Sequence, residues 1–444
     1  MTWRLRRGGD RLADAVEVTN TPDAPETTMR QKTMRRSRLR GSLLTVLVLG
    51  VLLLSGCSED LPLNTLDPKG DAARTIDNLV NPVFIIAGVV FLIVNLGVVY
   101  IAVKFRRRGN DPDAFPKQIH GNTRLELGWT ILPAVILAVI AVPTVATVFS
   151  LFEPRDEAMT VEVTGQQWWW SFRYDIDGDG EFDGPEDITT ATELVVPADT
   201  EVALRMTSED VIHSFWIPQL NGKRDVVPGS VHDWWVQADA PGYYLGQCTE
   251  FCGLSHAYMR MAVVAVTDDE FSQWVADQQA PATVPEDDEA AMRGLETFVQ
   301  QCTTCHQIEG VNSTGCEPLA TEDEFDLADF DPATDCYEGV AEGWTGAAQV
   351  SGTAPDLTHL MSRQRFIGGV YDLYQTRGGE PVLDAEGNPV PDVNTIKSWV
   401  RDPEQFKPMA PDPSRGNTYG RGMPTLPLTE DQLDDLAAYL ITLK

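Results

Sequence analysis

The hydrophobic and polar positions of this chain follow two different patterns. Two stretches, Pro82–Val103 and Gly128–Leu151, contain no charged residue. With a rise of about 1.5 Å per residue, each is long enough as a helix to cross a bilayer core of about 30 Å. From Met159 onward, short segments alternate apolar and polar residues, with Pro, Gly and Asp between them. The pattern therefore predicts a transmembrane helix hairpin within residues 58–155, followed by short strands.

The alternating segments predict an all-β domain over residues 156–276, folded as a sandwich or barrel. The stretch "QQAPATVPEDDEA" is rich in Pro, Ala and acidic residues and predicts a linker over residues 277–290. The last segment, "LTEDQLDDLAAYLITLK", combines a capping box of Thr429 and Gln432 with a leucine stripe at helical spacing. Residues 291–444 are predicted to form an all-α domain, so that the chain is a multidomain membrane protein.

The N-terminal region carries an export signal. The basic run "MRRSRLR" precedes the apolar segment Gly41–Cys57, which is typical of a signal peptide. This segment ends in "LSGC", which resembles the cleavage box of bacterial lipoproteins and implies that Cys57 is lipidated. A plain signal anchor with an incidental cysteine is the alternative. Residues 1–57 are expected to be a disordered N-terminus and signal peptide.

The distribution of basic residues predicts the orientation in the membrane. Six Lys and Arg residues lie in and around the loop between the two apolar stretches: Lys104, Arg106, Arg107, Arg108, Lys117 and Arg124. By the positive-inside rule this loop is cytoplasmic. The chain is therefore expected to be multi-pass in the cell membrane of a bacterium, with everything after residue 151 extracytoplasmic.

Charge limits the classes of partner. The chain has 66 acidic and 34 basic residues, a formal net charge of −32, which repels phosphate and argues against nucleic-acid binding.

The stretch Asp175–Glu186, "DIDGDGEFDGPE", spaces its acidic residues like a calcium loop. The flanking segments are predicted to be strands rather than the usual helices, which favours a solvated acidic hairpin over a calcium site.

Soft ligands are concentrated in "QCTEFCGLSHAYM". The stretch supplies Cys248, Cys252, His256 and Met259, and "SEDVIHSFWIP" supplies His213 from another loop of the β domain. Two thiolates with a thioether favour copper. A zinc site and a disulfide between the two cysteines are the alternatives, although zinc sites rarely recruit methionine and the disulfide leaves the histidines unexplained.

A second cofactor motif lies in the predicted all-α domain. The sequence "CTTCH" places Cys302, Cys305 and His306 in the spacing of c-type haem attachment. Phe298 and Gly294 precede Cys302 by four and eight residues, on one face of a predicted helix. A zinc finger would need a second matching cysteine pair, and a thioredoxin-type motif would need a βαβ pattern; the sequence has neither.

Residues from about 80 to 275 resemble subunit II of cytochrome c oxidase, through "LELGWTILPAVIL", "GQQWWWSFRY" and "HSFWIP…GQCTEFCGLSHAYM". The resemblance implies a cupredoxin-like domain with a dinuclear copper (Cu-A) site. Cys248 and Cys252 would bridge two coppers, and His213 and His256 would bind one each. Met259 and the main-chain carbonyl of Glu250 would complete the site.

The same resemblance implies roles for residues outside the copper site. Trp168 matches the residue at which electrons enter, with an aromatic core residue as the alternative. Glu126 matches a carboxylate near the entrance of a proton pathway, and the side chain of Glu250 matches one that helps to hold magnesium against subunit I. The cytochrome c-like domain fused to the chain resembles that of caa-type haem-copper oxidases.

This resemblance implies subunit II of a terminal respiratory oxidase. Electrons would pass from cytochrome c or a cytochrome bc complex through one haem c and Cu-A to subunit I, where oxygen is reduced to water with proton pumping. Subunit III would be a further partner. A Cu-A-containing nitric oxide reductase subunit remains a rival, as does a non-enzymatic copper carrier. Quinol oxidase subunits II lack the copper ligands found here.

Three features of the haem domain are expected from the sequence and its resemblance. Met423, followed by Pro and six residues before Thr429, is expected to be the second axial ligand of the haem, with Met409 and Met361 as alternatives. Cys316 and Cys336 lie outside the haem motif and are expected to form a disulfide. His359 is expected to pack or hydrogen-bond rather than to bind iron.

Overall fold

The computed structural model describes residues 61–106, 120–153, 159–182, 184, 186–280, 282, 287–309, 311–312, 317–318, 335–336, 354–409 and 422–444. The predictions for residues 1–57, including the lipidation of Cys57, fall outside these ranges. The predicted disulfide also falls outside them, because Cys316 and the side chain of Cys336 are not described.

Two long apolar helices, α1 (Asp71–Lys104) and α2 (Thr123–Leu151), pack against each other. Both are long and apolar enough to span a membrane, and their large apolar side chains are exposed along most of their length. Helix α2 begins at Thr123 because the side chain of Asn122 accepts hydrogen bonds from the next backbone N–H groups, the first at 3.1 Å. This start is five residues before the predicted one.

Helix α1 begins at Asp71 rather than at Pro82, so the predicted start was wrong by 11 residues. The extra turns are too polar for a membrane but pack on the β domain. The N–H of Ala73 donates to the carbonyl of Leu220 at 3.1 Å, and that of Asp71 donates to the Gln237 side chain at 3.0 Å. The first membrane helix is thus continuous with a helical segment that is attached to the next domain.

The predicted all-β domain forms two sheets and a short hairpin. The strands are β1 Met159–Gln166, β2 Trp169–Tyr174, β3 Ile188–Ala191, β4 Glu193–Pro197, β5 Val202–Ser208, β6 His213–Phe215, β7 Arg224–Val226, β8 His232–Val236, β9 Gly242–Gln247 and β10 Arg260–Val266. The sheets have the strand orders β3-β2-β1-β5-β8 and β4-β10-β9, and β6 pairs with β7. The β-rich architecture predicted from the alternating pattern is confirmed.

The core of this domain follows from the two-residue period of the strands. Val161 and Val163 of β1 and Leu204 and Met206 of β5 are each at most 1% exposed. Because alternate side chains of a strand point to one face of the sheet, these four residues face one interior. Strands β1 and β5 are parallel neighbours, and the pairing of Val163 with Met206 aligns their buried positions.

The part of the C-terminal region that the structure describes contains five α-helices. Its helices are α3 Asp268–Gln278, α4 Glu289–Gln301, α5 Val393–Arg401, α6 Pro403–Phe406 and α7 Glu430–Leu440. The expected capping box of Thr429 and Gln432 is present at the start of α7. Helices α4 and α7 pack closely, because Gly294 has no side chain: an ideal Cβ there would lie 2.1 Å from the carbonyl oxygen of Asp435.

An all-α domain was expected here, and this is incorrect for part of the chain. Short ladders join β11 (Glu317–Pro318) to β12 (Asp335–Cys336), β13 (Arg365–Phe366) to β14 (Tyr371–Asp372), and β15 (Thr376–Arg377) to β16 (Glu380–Pro381). The last two ladders turn at glycine pairs 368–369 and 378–379, whose φ values are all positive. Such pairs adopt the left-handed conformations that tight turns require.

Candidate metal centre and adjoining cavity

The loop between β9 and β10 is closed at its base by the strand ladder. Cys248 directly follows β9 and Met259 directly precedes β10, and the N–H of Cys248 donates to the carbonyl of Met259 at 2.9 Å. His256 begins a short 3₁₀ turn inside this loop. His213, the first residue of β6, reaches the loop from the separate hairpin of β6 and β7. The fold therefore brings together side chains from both sequence motifs.

Five soft donors and one carbonyl converge in this loop. The two cysteine sulfurs are 3.8 Å apart, well beyond the length of about 2.05 Å of a disulfide bond, so the disulfide alternative is not realised. From Cys248 Sγ it is 4.0 Å to His213 Nδ1 and 3.2 Å to the Glu250 carbonyl oxygen, and from Cys252 Sγ it is 3.6 Å to His256 Nδ1 and 3.8 Å to Met259 Sδ.

A buried carboxylate fixes the orientation of His213. Asp210 Oδ1 lies 2.8 Å from His213 Nε2 and accepts a hydrogen bond from its N–H group. The lone pair of Nδ1 is then directed toward Cys248. Burial lowers the pKa of His213, but the hydrogen bonds to Asp210 and Cys248 outweigh burial and leave the pKa raised. Sequence reasoning missed Asp210, although a carboxylate three residues before a ligand histidine was a usable signal.

The two thiols are hydrogen-bonded to each other. The hydrogen bond with Cys252 lowers the pKa of Cys248, and the same bond raises the pKa of Cys252. One thiolate therefore forms readily, whereas a second one beside it needs a compensating positive charge. Two thiolates, two imidazoles and a thioether form a donor set that suits a soft metal ion, copper above all. Two sulfurs at this separation can both reach an ion at a bond length of about 2.3 Å, on either side of the line that joins them.

The turn between β1 and β2 holds the loop from Cys248 to Met259, the metal loop, from outside. Gln167 Nε2 and Trp168 Nε1 both donate to the carbonyl oxygen of Cys252, at 2.6 and 3.0 Å. Trp168 is only 4% exposed and belongs to the core of the β domain. Trp168 also lines a cavity.

This cavity has a volume of about 300 Å³ and contains the second sequence motif. Cys302, Cys305 and His306 line it, together with apolar side chains of α4, α5 and α7. His306 Nδ1 donates to the carbonyl of Pro355 at 2.8 Å, so Nε2 is the nitrogen with a lone pair. Burial lowers the pKa of His306, which keeps the ring neutral. A buried apolar space with two thiols and a neutral imidazole at its wall fits a covalently attached porphyrin.

Two of the three candidate methionines reach the cavity. Met409 and Met423 both line it, and Met361 does not. The N–H of Met361 donates to the carbonyl of Leu443, which places this residue in the interior of the helical domain. Met409 Sδ accepts a hydrogen bond from the backbone N–H of Met423 at 3.3 Å, so the two residues are in direct contact.

The helical region is attached to the metal-binding domain through buried polar contacts. Lys407 Nζ donates to the carbonyl oxygen of Trp168, and burial lowers the pKa of Lys407 to about 7. The hydroxyl of Ser255, inside the metal loop, donates to the carbonyl of Pro408. These contacts connect the metal loop directly to the wall of the cavity, and no sequence motif indicated them.

A buried glutamate makes a second attachment. Glu193 of β4 accepts the backbone N–H groups of Gln364 and Arg365 at 3.0 and 2.9 Å, and the hydroxyl of Tyr243 at 2.8 Å. Burial raises the pKa of Glu193. This carboxyl therefore joins the two domains at a position where water is excluded.

The remaining predicted residues lie apart from these clusters or at their margin. Glu126 is exposed in the first turn of α2, and the side chain of Glu250 is exposed beside the metal loop. His359 hydrogen-bonds through Nδ1 to the carbonyl of Lys444 at 2.7 Å, as expected for a residue that does not bind iron. In the acidic hairpin, Asp175 and Asp177 approach Asp187 rather than the predicted Glu186.

Two family models match the chain. Residues 159–266 match the periplasmic domain of cytochrome c oxidase subunit II, and residues 63–147 match its transmembrane domain. Cytochrome c oxidase subunit 2 of Alkalihalophilus pseudofirmus is 31% identical over 402 residues, which cover 88% of this chain and 94% of the relative. The corresponding subunit of Bacillus subtilis is 33% identical, with 82% and 89% covered.

Two further similarities are confined to part of the chain. Quinol oxidase subunit 2 of Bacillus subtilis is 35% identical over 243 residues, which cover 52% of this chain and 70% of the relative. The crystal structure of the periplasmic domain of subunit II of cytochrome oxidase of Bradyrhizobium japonicum is 31% identical, covers 27% of this chain and 93% of that chain, and gives a TM-score of 0.25.

Proposed function

Because this chain belongs to the cytochrome c oxidase subunit II family, we propose that it accepts electrons through a haem c and passes them by way of a dinuclear copper centre to subunit I of a terminal oxidase. Membership of the family implies assembly with subunit I, and the two apolar helices agree with a membrane protein. Subunit I would reduce oxygen to water with proton pumping, and subunit III would complete the complex.

The observation that carries this proposal is the convergence of the soft donors. Cys248 and Cys252 would bridge two coppers, with His213 and His256 at the two ends. Met259 Sδ and the Glu250 carbonyl oxygen would complete the ligand set. When bound, the centre supplies one-electron transfer. The buried loop supports this chemistry, because a cage closed by the β9–β10 ladder and held through Gln167 and Trp168 need not rearrange when its charge changes.

Cys302 and Cys305 would attach the haem, and His306 Nε2 would bind its iron. We assign the opposite face to Met423, which is followed by Pro424 and lines the cavity. The sulfur of Met409 accepts the N–H of Met423, and this contact favours Met409 as the residue that supports the ligand. Trp168, in van der Waals reach of the cavity on one side and hydrogen-bonded to Cys252 on the other, would be the point at which electrons enter the copper centre.

The remaining assignments belong to the same proposal. Glu126 would stand at a proton pathway and Glu250 would help to hold magnesium against subunit I. Cytochrome c or a cytochrome bc complex would be the donor, and the β and helical domains would be extracytoplasmic. Lipidation of Cys57 and a disulfide between Cys316 and Cys336 complete the expected covalent structure.

The test is electron paramagnetic resonance of the full chain, purified in detergent after copper loading. One unpaired electron shared over two coppers is expected. A mononuclear copper spectrum, or zinc in elemental analysis, would contradict the copper assignment. Oxygen consumption by the assembled complex with cytochrome c as donor distinguishes an oxidase from a nitric oxide reductase and from a copper carrier. The presence of the full ligand set speaks against a quinol oxidase, although part of the chain resembles one.

A further inference from the structure

The hairpin between β2 and β3 places carboxylates opposite each other at its base. The last pair of the ladder is Tyr174 with Ile188, so the next residues on the two strands are Asp175 and Asp187. Two like charges directly opposite each other destabilise an antiparallel pair. The side chain of Asp177, two residues further into the loop, turns back to the same point: one carboxylate oxygen of each of the three aspartates lies within 4.8 Å of the others.

Hydrogen bonds account for only part of this cluster. Asp187 is satisfied, because its two oxygens accept the N–H groups of Ile176 at 3.1 Å and Gly184 at 2.9 Å. Asp175 is only 7% exposed; its Oδ2 accepts the N–H of Gly180 at 3.0 Å, whereas its Oδ1 is buried and has no hydrogen-bond partner. A buried carboxylate oxygen without a partner is costly, and in native proteins it usually indicates a missing ligand.

No side chain of the described residues neutralises the cluster. None of the ion pairs formed by lysine, arginine or histidine in those residues includes Asp175, Asp177 or Asp187. Arg205 comes near but donates to the backbone carbonyl of Gly180, at 3.3 Å. In the part of the chain that the structure describes, these three carboxylates form no ion pair, and a cation from solution would offset their mutual repulsion.

We propose that the β2–β3 hairpin binds a calcium ion through Asp175, Asp177 and Asp187. Calcium takes carboxylate oxygens at about 2.3–2.6 Å in flexible geometry, so it holds oxygens that are up to about 5 Å apart, which matches the observed cluster. The ion would remove the repulsion at the base of the hairpin and supply the partner that Asp175 Oδ1 lacks. Relative to the calcium-loop spacing in the sequence, Asp187 replaces Glu186, because a strand rather than a helix follows the loop.

The ion would order an acidic hairpin that otherwise repels itself. The hairpin is attached to the rest of the chain beyond its own strands: Gln279, which follows α3, donates to the carbonyl of Glu186 at 2.7 Å. None of the three aspartates lies in the metal loop or lines the cavity, and binding of an ion by them needs neither copper nor haem. Calcium binding and the proposed electron transfer can therefore fail independently of each other.

The test is calcium titration of the full chain in detergent, after removal of metal with a chelator and exchange into chelator-free buffer. Calcium is added to about 1 mM, the weakest range in which extracellular calcium modules bind, and is measured by equilibrium dialysis with radioactive calcium. We expect the wild type to bind one ion more than Asp175→Asn, and Asp177→Asn to bind that ion at least about tenfold more weakly. Asp177 is exposed, so the second variant tests the site even if the first fails to fold.

Glu296→Gln is the matched control, because it removes one negative charge from an exposed position of α4. It should bind calcium like the wild type. In the wild type alone, calcium should also slow hydrogen exchange of the loop amides of Gly180 and Gly184. Superimposable titrations of the wild type and both aspartate variants would overturn the proposal, as would no binding up to 1 mM. Equal competition by magnesium would overturn the assignment to calcium.

Discussion

Replacing Gly294 by alanine should weaken the packing of α4 on α7. The new Cβ would lie 2.1 Å from the carbonyl oxygen of Asp435 and 2.7 Å from the Cβ of Tyr439. Real Cβ atoms essentially never approach another heavy atom within 3.0 Å, so the two helices must separate by the missing 0.9 Å. The nearest atom is backbone, which cannot move aside as a flexible side chain would.

The size of the effect follows from three contributions. A gap of about 0.5–1 Å forfeits about a quarter to a half of the dispersion energy of the facing atoms. For the fully buried ring of Phe298, whose complete truncation would cost about 3–5 kcal/mol, this amounts to about 1–2 kcal/mol. Forcing a methyl group into a filled core costs about 1–3 kcal/mol, and the higher helix propensity of alanine returns about 1 kcal/mol. The expected net loss is about 2 kcal/mol.

Hydrogen exchange of the full chain measures this loss locally, since one melting temperature is not well defined for a multidomain protein. A loss of about 2 kcal/mol corresponds to about 30-fold faster exchange of the protected amides of α4 and α7. Gln300→Ala, at an exposed position of α4, should change the free energy that protects these amides from exchange by no more than about 0.5 kcal/mol. Slower exchange in Gly294→Ala would mean that helix propensity outweighs packing, and it would refute the argument.

Four further outcomes are expected. Asp210→Asn should weaken copper retention about 10- to 100-fold in competition with a chelator, because the carboxylate orients the ring of a ligand histidine. Met423→Leu should abolish the near-infrared band of methionine-ligated ferric haem c and lower the reduction potential; loss of the band in Met409→Leu instead would reverse the assignment. Trp168→Ala should keep copper and haem but slow the arrival of electrons at copper, and unchanged turnover would make this residue only part of the core. Glu193→Gln should reduce the pH dependence of the stability of the contact between the two domains.

The sign of the last effect follows from the raised pKa of Glu193. Above pH 4.5 the unfolded chain loses this proton first, whereas the folded protein keeps it up to its higher pKa. The contribution to stability is therefore complete below pH 4.5 and is lost as pH rises through the folded pKa. Hydrogen exchange at residues 364–365, corrected for the intrinsic effect of pH, should show this decline in the wild type. A decline of the same size in Glu193→Gln would contradict it.

Sequence patterns predicted those parts of the molecule that depend on neighbours along the chain. The donors from Cys248 to Met259 lie in one loop, and the membrane helices are recognisable by length and hydropathy alone. The start of α1 at Asp71 was not predictable, because the contact that extends the helix is to Leu220, far along the chain. Asp210 was missed for a different reason: it lies only three residues before His213, but it orients a ligand and is not itself a soft donor. Asp187 was missed because its approach to Asp175 depends on the register of a hairpin, which the spacing of acidic residues does not contain.

The burial of Trp168 has a kinetic consequence for the proposed route. Trp168 is almost completely buried, its carbonyl accepts a hydrogen bond from Lys407, and it lines the cavity, so a soluble protein cannot reach it without separating the domains. Tethering replaces a second-order collision by an intramolecular step, whose rate does not depend on how dilute the protein is. Salt screens encounters between separate proteins over about 8 Å but acts little on a dry contact. Ionic strength should therefore affect only the association with the external donor. Because the chain is acidic, this donor is expected to be basic.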